Sequence, residues 1–465
     1  MLYVALGATD EIGASCHFLK INGTGLVLDA GADPENEGEE SLPRLDLIRK
    51  NPDWYIDHAI VTHAHHDHFG ALPVLIRQFP HVHVHMTGAT RDLVDLLLPA
   101  SARLQRRRLR EGTSTAEPLF DEQELEVFSY LYLTHELETD FDVTGMRGAT
   151  PIKARLFDSG HVLGGAGVEL TFPENGDTRR VFYTSDTNLR PQAIIPGGRY
   201  PEEPIDVLLL ESTLGADPNA EQTTRKTEEK RFGEALERVI KRGGAALVPV
   251  FALGRAQETL ALIDRFKQRG LIPEDVPVYT AGSMRAIADL YDKTRLTTPR
   301  LNPDFQVYGV PQKRLPRSQT ALNKALQEPG IFVLGSGMMF ERTISNLVAQ
   351  QVVEHEKNAV LLVGYAREDA PAQRLLDAAA KGPGTEVVVS ELRGPQTLRC
   401  EVGRFRFSGH SHRRDLIQLV EQLRPKKIVL VHGEQEARGW MADNIAFFYP
   451  EIELHMPELG EQVQL

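Results

Sequence analysis

The feature that most constrains the fold is residues 62–68, which read Thr-His-Ala-His-His-Asp-His. Apolar runs on both sides predict a buried strand before this segment and a helix after it. Because alternate residues of an extended segment point the same way, His63 and His65 can aim two imidazoles at one metal ion. Asp67 and His68 can reach a second ion about 3.5–4 Å away. Imidazoles with a carboxylate favour zinc over manganese or iron.

The same residues resemble a family signature. His-X-His-X-Asp-His is typical of the metallo-β-lactamase fold, and residues 63–68 resemble it at every specified position. His66 fills a free position, so we interpret it as a loop residue and not a ligand. A polar loop with chance histidines is the alternative, which the spacing after a buried strand disfavours.

Composition limits the class of protein. The chain has 465 residues, 41% hydrophobic and 25% charged, which predicts a soluble globular protein of two or three domains. It has no apolar run of membrane-spanning length and no signal-peptide pattern at its start. Cys16 and Cys400 are too far apart in sequence to form a disulfide framework, so we expect a cytoplasmic protein and no membrane partner.

The net charge of −13 argues against a protein that coats nucleic acid, although a nuclease with a narrow, guarded site remains compatible with it. Arg106, Arg107, Arg108 and Arg110 form a basic run, which we interpret as a solvated helix face rather than an RNA contact. Residues 122–142 are acidic and predicted to be helical. The chain shows no low-complexity linker and no internal repeat.

A second group of histidines alternates with valine. His81, His83 and His85 occupy every other position of a short apolar run. Strict alternation is typical of a half-exposed strand, so we predict that these three histidines are structural.

Further residues match the metallo-β-lactamase family in chain order. Asp29 ends a predicted hairpin, and the resemblance implies that it supports the metal loop through hydrogen bonds. Residues 158–164 resemble the family loop that supplies a third imidazole, which is His161 here. Asp186 follows a predicted strand and matches the carboxylate that bridges both metals.

The segment Glu-Ser-Thr that begins at Glu211 resembles the β-CASP subgroup, which acts on nucleic acid and inserts a second domain after this point. Strands alternating with helices then predict a parallel sheet with Gly- and Ser-containing loops at one edge. Helix starts at such loops can bind phosphate. We therefore predict substrate phosphate contacts at Arg255, Ser283 and Ser336.

The motifs of the first domain resume near residue 396. Residues 405–410 resemble the family's Phe-Ser-Ala-His, and residues 431–434 its closing Val-His-Gly-Glu. His410 and His432 therefore match the last two histidines of the β-CASP set. The resemblance covers nearly the whole chain and extends to bacterial and archaeal homologues of the cleavage-and-polyadenylation endonuclease subunit.

Three segments depart from the family pattern. Residues 340–342 are Phe-Glu-Arg where the family has small residues, His412 stands where an acidic residue is frequent, and residues 364–369 are less glycine-rich than usual. These differences bear on the substrate more than on the chemistry.

The resemblance implies an α/β fold. We predict a metallo-β-lactamase αββα sandwich from residues 1–213 and 396–465, interrupted by a β-CASP α/β domain at 214–395 with a parallel sheet flanked by helices.

The implied activity is hydrolysis of RNA phosphodiester bonds, in a cleft between the two domains, by a hydroxide that bridges two zinc ions. Mn²⁺ and Fe²⁺ are alternatives to zinc. In this scheme Asp67 orients the hydroxide, His410 is the general acid, and Glu211 keeps His410 protonated. The expected ligands are His63, His65 and His161 for one ion, Asp67, His68 and His432 for the other, and Asp186 for both.

Single-stranded RNA is the expected substrate, and three alternatives stay open. They are a DNA nuclease of the same fold, a small-molecule hydrolase such as a thioesterase or lactonase, and a scaffold subunit, which the complete ligand set disfavours. The sequence does not separate endonuclease from 5′-exonuclease action, and it leaves a homodimer open.

Overall fold

The computed structural model describes residues 1–364, 366–367 and 369–465, apart from the side chains of residues 219 and 220. Tyr365 and Glu368, in the third departing segment, lie outside these residues. The strands are β1 (Leu2–Gly7), β2 (Cys16–Ile21), β3 (Thr24–Leu28), β4 (His58–Ile60), β5 (His83–Thr87), β6 (Tyr132–His135), β7 (Phe141–Asp142), β8 (Lys153–Asp158), β9 (Ala166–Glu174), β10 (Asp177–Tyr183), β11 (Val207–Glu211), β12 (Ala245–Pro249), β13 (Val278–Thr280), β14 (Lys313–Arg314), β15 (Gly330–Leu334), β16 (Ala359–Val363), β17 (Glu386–Val387), β18 (Gln396–Thr397), β19 (Glu401–Phe405), β20 (Lys427–Val431), β21 (Glu453–His455) and β22 (Gln462–Gln464).

The helices alternate with these strands over most of the chain. They are α1 (Asp46–Lys50), α2 (His66–Phe69), α3 (Leu72–Gln78), α4 (Gly88–Arg110), α5 (Glu122–Phe128), α6 (Arg225–Lys241), α7 (Arg255–Gln268), α8 (Met284–Lys293), α9 (Gln319–Gln327), α10 (Ile344–Val352), α11 (Pro371–Lys381), α12 (Arg413–Leu423) and α13 (Gln435–Phe448). Among the described residues, no helix combines the length and apolar character needed to cross a bilayer.

The first compact unit consists of Met1–Arg190, Gly197–Pro218 and His410–Leu465. It contains two seven-stranded sheets, ordered β22-β1-β2-β3-β4-β5-β6 and β21-β20-β11-β10-β9-β8-β7. In the second sheet β10, β11, β20 and β21 are parallel neighbours, so their carboxyl ends lie at one edge.

The core of this unit lies between the two sheets. Tyr3 and Leu28 of the first sheet share one buried apolar cluster with Leu170 and Leu209 of the second. Leu210, on the other face of the second sheet, packs against α12 and α13, while α4 packs against β5 and β6 of the first. Both sheets are therefore buried between helices, which is the predicted αββα order.

The second unit consists of Pro191–Pro196 and Asn219–Gly409. Its six-stranded sheet has the order β14-β13-β15-β12-β16-β19, and every neighbouring pair is parallel. Helices α9, α10 and α11 share a buried apolar cluster with β12, β15 and β16. This is the predicted parallel sheet flanked by helices.

The chain passes into the second unit after residue 218 and returns to the first after residue 409. The sequence predicted these domain boundaries at 213/214 and 395/396. The largest difference arises because β19 pairs in parallel with β16 and so extends the sheet of the second unit. The apolar motif in β19 reads equally well as a strand of either sheet.

The prediction of a helix over residues 122–142 is wrong beyond α5. Residues Tyr132–His135 form β6, which pairs with β5, and Phe141–Asp142 form β7, which pairs with β8. Edge positions in two sheets override the helix-forming acidic composition.

The alternating histidines lie outside the groups of candidate metal ligands described below. His83 and His85 are in β5, and the buried His85 has ring nitrogens 2.9 Å from those of His58 and of His135. Burial first, and then neighbouring His58, lower the pKa of His85 to about 3. These neutral imidazoles bond to one another as structural residues.

The basic run at the end of α4 is paired with acids at the surface. Arg106 pairs with Glu122, and an Arg108 nitrogen lies 2.9 Å from a Glu37 carboxylate oxygen. These ion pairs match the solvated helix face that the sequence predicts.

A buried carboxylate holds the segment Pro191–Pro196 within the second unit. Glu258, on α7, accepts hydrogen bonds from the backbone N–H groups of Ala193, Ile194 and Ile195. Three amide donors stabilise a buried charge that would otherwise be costly to desolvate.

We therefore expect Glu258→Ala to lower the free energy of unfolding by about 2–4 kcal/mol, because three buried N–H groups lose their acceptor. Urea unfolding followed by circular dichroism measures this change. The control is Glu234→Ala, which removes an exposed pair with Lys230 at 3.7 Å and should cost at most about 0.5 kcal/mol. Equal stability of the two variants would contradict a stabilising role for the hydrogen bonds to Glu258.

Candidate metal centre

The ligand-type side chains of the first unit follow the carboxyl ends of strands. The neighbours β10, β11 and β20 are parallel, so the residues after them meet at one sheet edge. The ligand-type residues of the second sheet are His161 after β8, Asp186 after β10, Glu211 at the end of β11, and His432 after β20, while His63 and His65 follow β4 of the first sheet.

One group consists of His63, His65, His161 and Asp186. His65 Nδ1 lies 3.2 Å from His63 Nε2 and 3.0 Å from His161 Nε2. Asp186 Oδ2 lies 3.6 Å from His63 Nε2 and 3.5 Å from His161 Nε2. Four donor atoms therefore converge on one small volume.

A second group consists of Asp67, His68 and His432, with Asp186 beside it. The Nε2 atoms of His68 and His432 are 3.2 Å apart, and Asp67 Oδ2 is 3.5 Å from His432 Nε2. Asp186 Oδ1 lies 3.4 Å from His68 Nε2 and 3.2 Å from His432 Nδ1. Asp186 thus offers one carboxylate oxygen to each group.

The donor set fits a metal of the zinc type. Ligand atoms 2.0–2.1 Å from a tetrahedral zinc are about 3.3 Å apart, which matches the separations above. Asp186 Oδ1 is buried and, among the described residues, makes no hydrogen bond. A cation would satisfy that oxygen and would allow imidazole nitrogens to lie so close together.

The electrostatics of the cluster favour a charged carboxylate among imidazoles. Burial raises the pKa of Asp186, but His432, His68 and His410 outweigh it and hold that pKa well below its ordinary value. Burial and neighbouring His68 lower the pKa of His63 well below its ordinary value. A neutral His63 is the form that binds a metal.

Asp29 supports the cluster from behind. Its Oδ2 lies 2.8 Å from His68 Nδ1 and accepts a hydrogen bond from the Tyr183 hydroxyl at 3.0 Å. Its Oδ1 accepts from Thr62 N at 2.8 Å. By occupying Nδ1, Asp29 fixes the orientation in which His68 Nε2 faces the metal position.

His410 lies beside the first group without being one of its members. Its Nδ1 is 3.2 Å from Glu211 Oε2, and its Nε2 is 3.9 Å from Asp186 Oδ2. Glu211 is fully buried and also accepts a hydrogen bond from Thr187 N at 2.8 Å. Burial alone would lower the pKa of His410, but Glu211 and Asp186 raise it to about 9.

The remaining predicted residues lie elsewhere. His66 starts α2 and is in neither group. In the second unit, the buried Arg255 donates to the Phe407 carbonyl at 2.7 Å and to Gln192. Ser283 precedes α8, and Ser336 follows β15 with a buried hydroxyl that has no hydrogen-bond partner among the described residues. Phosphate contacts at Arg255, Ser283 and Ser336 stay predictions.

Sequence reasoning missed three supporting residues. The Thr62 hydroxyl lies 3.2 Å from His63 Nδ1, the Thr213 hydroxyl lies 3.1 Å from His432 Nδ1, and the Tyr183 hydroxyl donates to Asp29. Thr62 and Thr213 lie next to or within the motifs described above, and this position could have indicated a supporting role. Tyr183 ends an apolar strand, where no local pattern distinguishes it from a core residue.

Three family models match separate parts of the chain. The model of the metallo-beta-lactamase superfamily matches residues 9–165, that of the Beta-Casp domain residues 256–375, and that of the Zn-dependent metallo-hydrolase RNA specificity domain residues 396–457. The first includes His63, His65, His68 and His161, and the third includes His410 and His432.

Curated relatives are similar over most of the chain. Endoribonuclease YSH1 of Kluyveromyces lactis is 28% identical over 455 residues, which cover 94% of this chain and 56% of the relative. Cleavage and polyadenylation specificity factor 73 of Drosophila melanogaster is 28% identical, with 92% and 59% covered. Probable RNase MJ4 of Methanocaldococcus jannaschii is 26% identical, with 99% of each covered. The chain thus spans less than two thirds of the first two.

A solved structure has the same overall fold. A protein of unknown function from Enterococcus faecalis V583 superposes with a TM-score of 0.55 at 13% identity, over 100% of this chain and 99% of that one. This similarity concerns the fold alone.

We expect Asp29→Ala to weaken zinc binding about 10–100-fold, because His68 loses the partner that orients its ring. Zinc titration of the metal-depleted protein, with elemental analysis, measures the change. The control is Asp57→Ala, since Asp57 is also buried but accepts from backbone N–H groups of Gly25 and Met146 away from the cluster. Equal losses in the two variants would assign Asp29 to stability alone.

Proposed function

We propose a ribonuclease activity for this chain, which belongs to the β-CASP group of the metallo-β-lactamase superfamily. One observation carries the proposal: the segment similar to an RNA specificity domain contributes both His410 and His432 to the buried cluster of imidazoles and carboxylates. The relatives compared above are named as ribonucleases or as an RNA-processing factor, and this chain shares 92–99% of its length with them.

The proposed cofactors are two zinc ions, with Mn²⁺ or Fe²⁺ as alternatives. His63, His65 and His161 would hold one ion, Asp67, His68 and His432 the other, and Asp186 both. Two bound ions of this type lower the pKa of a water molecule and offset the negative charge of a phosphodiester. Fully active protein therefore requires two equivalents of metal per chain.

The remaining side chains move and hold protons. His410 Nε2 faces the cluster and donates a proton to the leaving oxygen. Glu211 accepts a hydrogen bond from His410 Nδ1 and so keeps that nitrogen protonated. The Asp67 side chain is 20% exposed, against 2% for Asp186, so it is the carboxylate best placed to orient an attacking water. In this scheme neither His410 nor Glu211 is a metal ligand.

Single-stranded RNA is the proposed substrate, with backbone phosphates bound near Arg255, Ser283 and Ser336. A cytoplasmic location is a further prediction from the sequence, which leaves a homodimer open. We propose the domain assignment 1–213, 214–395 and 396–465. The boundaries of the compact units differ from these bounds as described above.

Purified protein should cut single-stranded RNA to products with 5′-phosphate and 3′-hydroxyl ends, because water and not the ribose 2′-hydroxyl attacks phosphorus. RNA labelled at either end, incubated with and without chelator, tests this and separates endonuclease from 5′-exonuclease action. Products that end in 2′,3′-cyclic phosphate would contradict the mechanism. Cleavage confined to DNA or to thioesters would favour the alternative substrates.

His410→Ala should keep the metal and the fold but lose about 10²–10⁴-fold in kcat, the usual contribution of a positioned proton donor. An RNA analogue with a better leaving group should recover much of this loss, since protonation then matters less. Elemental analysis and single-turnover kinetics measure both effects, with the exposed His81→Ala as the matched control. Full activity, or the loss of a metal, would remove His410 from the proposed role.

A further inference from the structure

The edge strand of the second unit carries a group of exposed cations. Lys313 and Arg314 form β14, the outermost strand of the six-stranded sheet, and Arg317 follows three residues later. We name these three residues, together with Arg285 and Tyr308, the basic edge.

The local charge of this region is opposite to that of the chain. Residues 279–330 contain eight Lys and Arg against four Asp and Glu, a net charge of +4, whereas the whole chain has −13. A cationic region on an acidic protein attracts a polyanion to one place and disfavours binding elsewhere.

The cations of the basic edge differ from the other basic runs in their partners. Lys313, Arg314 and Arg317 are exposed and, within the part of the chain that the structure describes, form no ion pair. By contrast, Arg106 and Arg108 on α4 pair with Glu122 and Glu37. Among the described residues, Lys313, Arg314 and Arg317 therefore carry positive charge that no acidic side chain pairs with.

An aromatic ring stands within this group and is fixed in place. Tyr308 is 51% exposed, and the Arg285 guanidinium lies over its ring at 5.2 Å from the centroid. The backbone N–H groups of Val307 and Tyr308 donate to the Asp292 carboxylate at 2.7 and 2.9 Å. A preorganised ring beside cations is the arrangement on which single-stranded nucleic acids stack their bases.

The basic edge continues a polar edge of the same sheet. Strands β14, β13 and β15 are parallel neighbours, with Arg314 opposite Thr280 at their carboxyl ends. The loop after β13 carries Ser283 and leads to Arg285, and the loop after β15 carries Ser336. The loops after these three neighbouring strands therefore lie at one edge of the sheet, where Ser283 and Ser336 are predicted phosphate contacts.

We propose that the basic edge binds the backbone and bases of single-stranded RNA. The inference rests on the proposed ribonuclease function and adds where the second unit engages the substrate. Cations on an edge strand also discourage pairing with another chain. The competing explanation for their presence is therefore that they prevent self-association.

The test compares two triple variants of the full protein. Lys313→Gln/Arg314→Gln/Arg317→Gln changes the basic edge, and Lys226→Gln/Lys230→Gln/Lys241→Gln removes the same charge from the exposed side of α6. The probe is a fluorescein-labelled phosphorothioate RNA of about 30 nucleotides, which resists cleavage, and its binding is followed by anisotropy. Hydrolysis of bis(p-nitrophenyl) phosphate reports on the cluster alone.

The basic-edge variant should bind this RNA about ten-fold more weakly than the α6 variant, and the slope of log K against log salt should fall by about 2, since three phosphate contacts are lost. Hydrolysis of the small diester should not change. Tyr308→Leu should weaken RNA binding about five-fold or more with an unchanged salt slope, because stacking is not a charge effect.

Equal RNA affinity in the two triple variants would overturn the proposal. So would the formation of larger oligomers by the basic-edge variant, seen by light scattering, in place of a change in affinity. Since the phosphorothioate probe needs no cleavage, these outcomes are independent of whether the protein cuts RNA. Failure of the ribonuclease proposal would show separately, as binding without cleavage of unmodified RNA.

Discussion

Asp186 is a buried carboxylate that lies between two sets of imidazole nitrogens, and much of the first unit is arranged around it. A charge in this position is tolerated only with partners, and the partners come from strands far apart in sequence. His68 follows β4, His161 follows β8 and His432 follows β20, each within 3.5 Å of an Asp186 oxygen. The parallel register of β10, β11 and β20 brings Asp186 and His432 to the same edge of the second sheet.

The backbone at the cluster is held in conformations that residues other than glycine rarely adopt. Asp29, Ser185 and His432 have φ angles of 62°, 50° and 52°, in the left-handed region. Such residues cost free energy and persist where their surroundings fix them. The hydrogen bonds of Asp29 to Thr62 and Tyr183, and of Thr213 to His432, provide that constraint.

The convergence of the candidate ligand residues could be predicted because each sits in a short motif at a strand end, where local sequence and site chemistry coincide. The pairing of Glu211 with His410 was predicted in the same way and lies at 3.2 Å. What local sequence could not supply depends on long-range pairing. Residues Tyr132–His135 became a strand because β5 lies beside them, and β19 joined the second unit because β16 does. Tyr183 supports Asp29 across 154 positions, a contact that no local pattern encodes.

The chain order of the first unit has a consequence for biosynthesis. Residues up to Pro218 carry six of the seven ligand-type residues, but His432 follows β20, which inserts between β11 and β21 only after the whole second unit has been made. A nascent chain therefore reaches its last donor late and through contacts of long sequence separation, which form slowly. A cluster arranged in this way stays incomplete until the residues that follow the second unit have been synthesised.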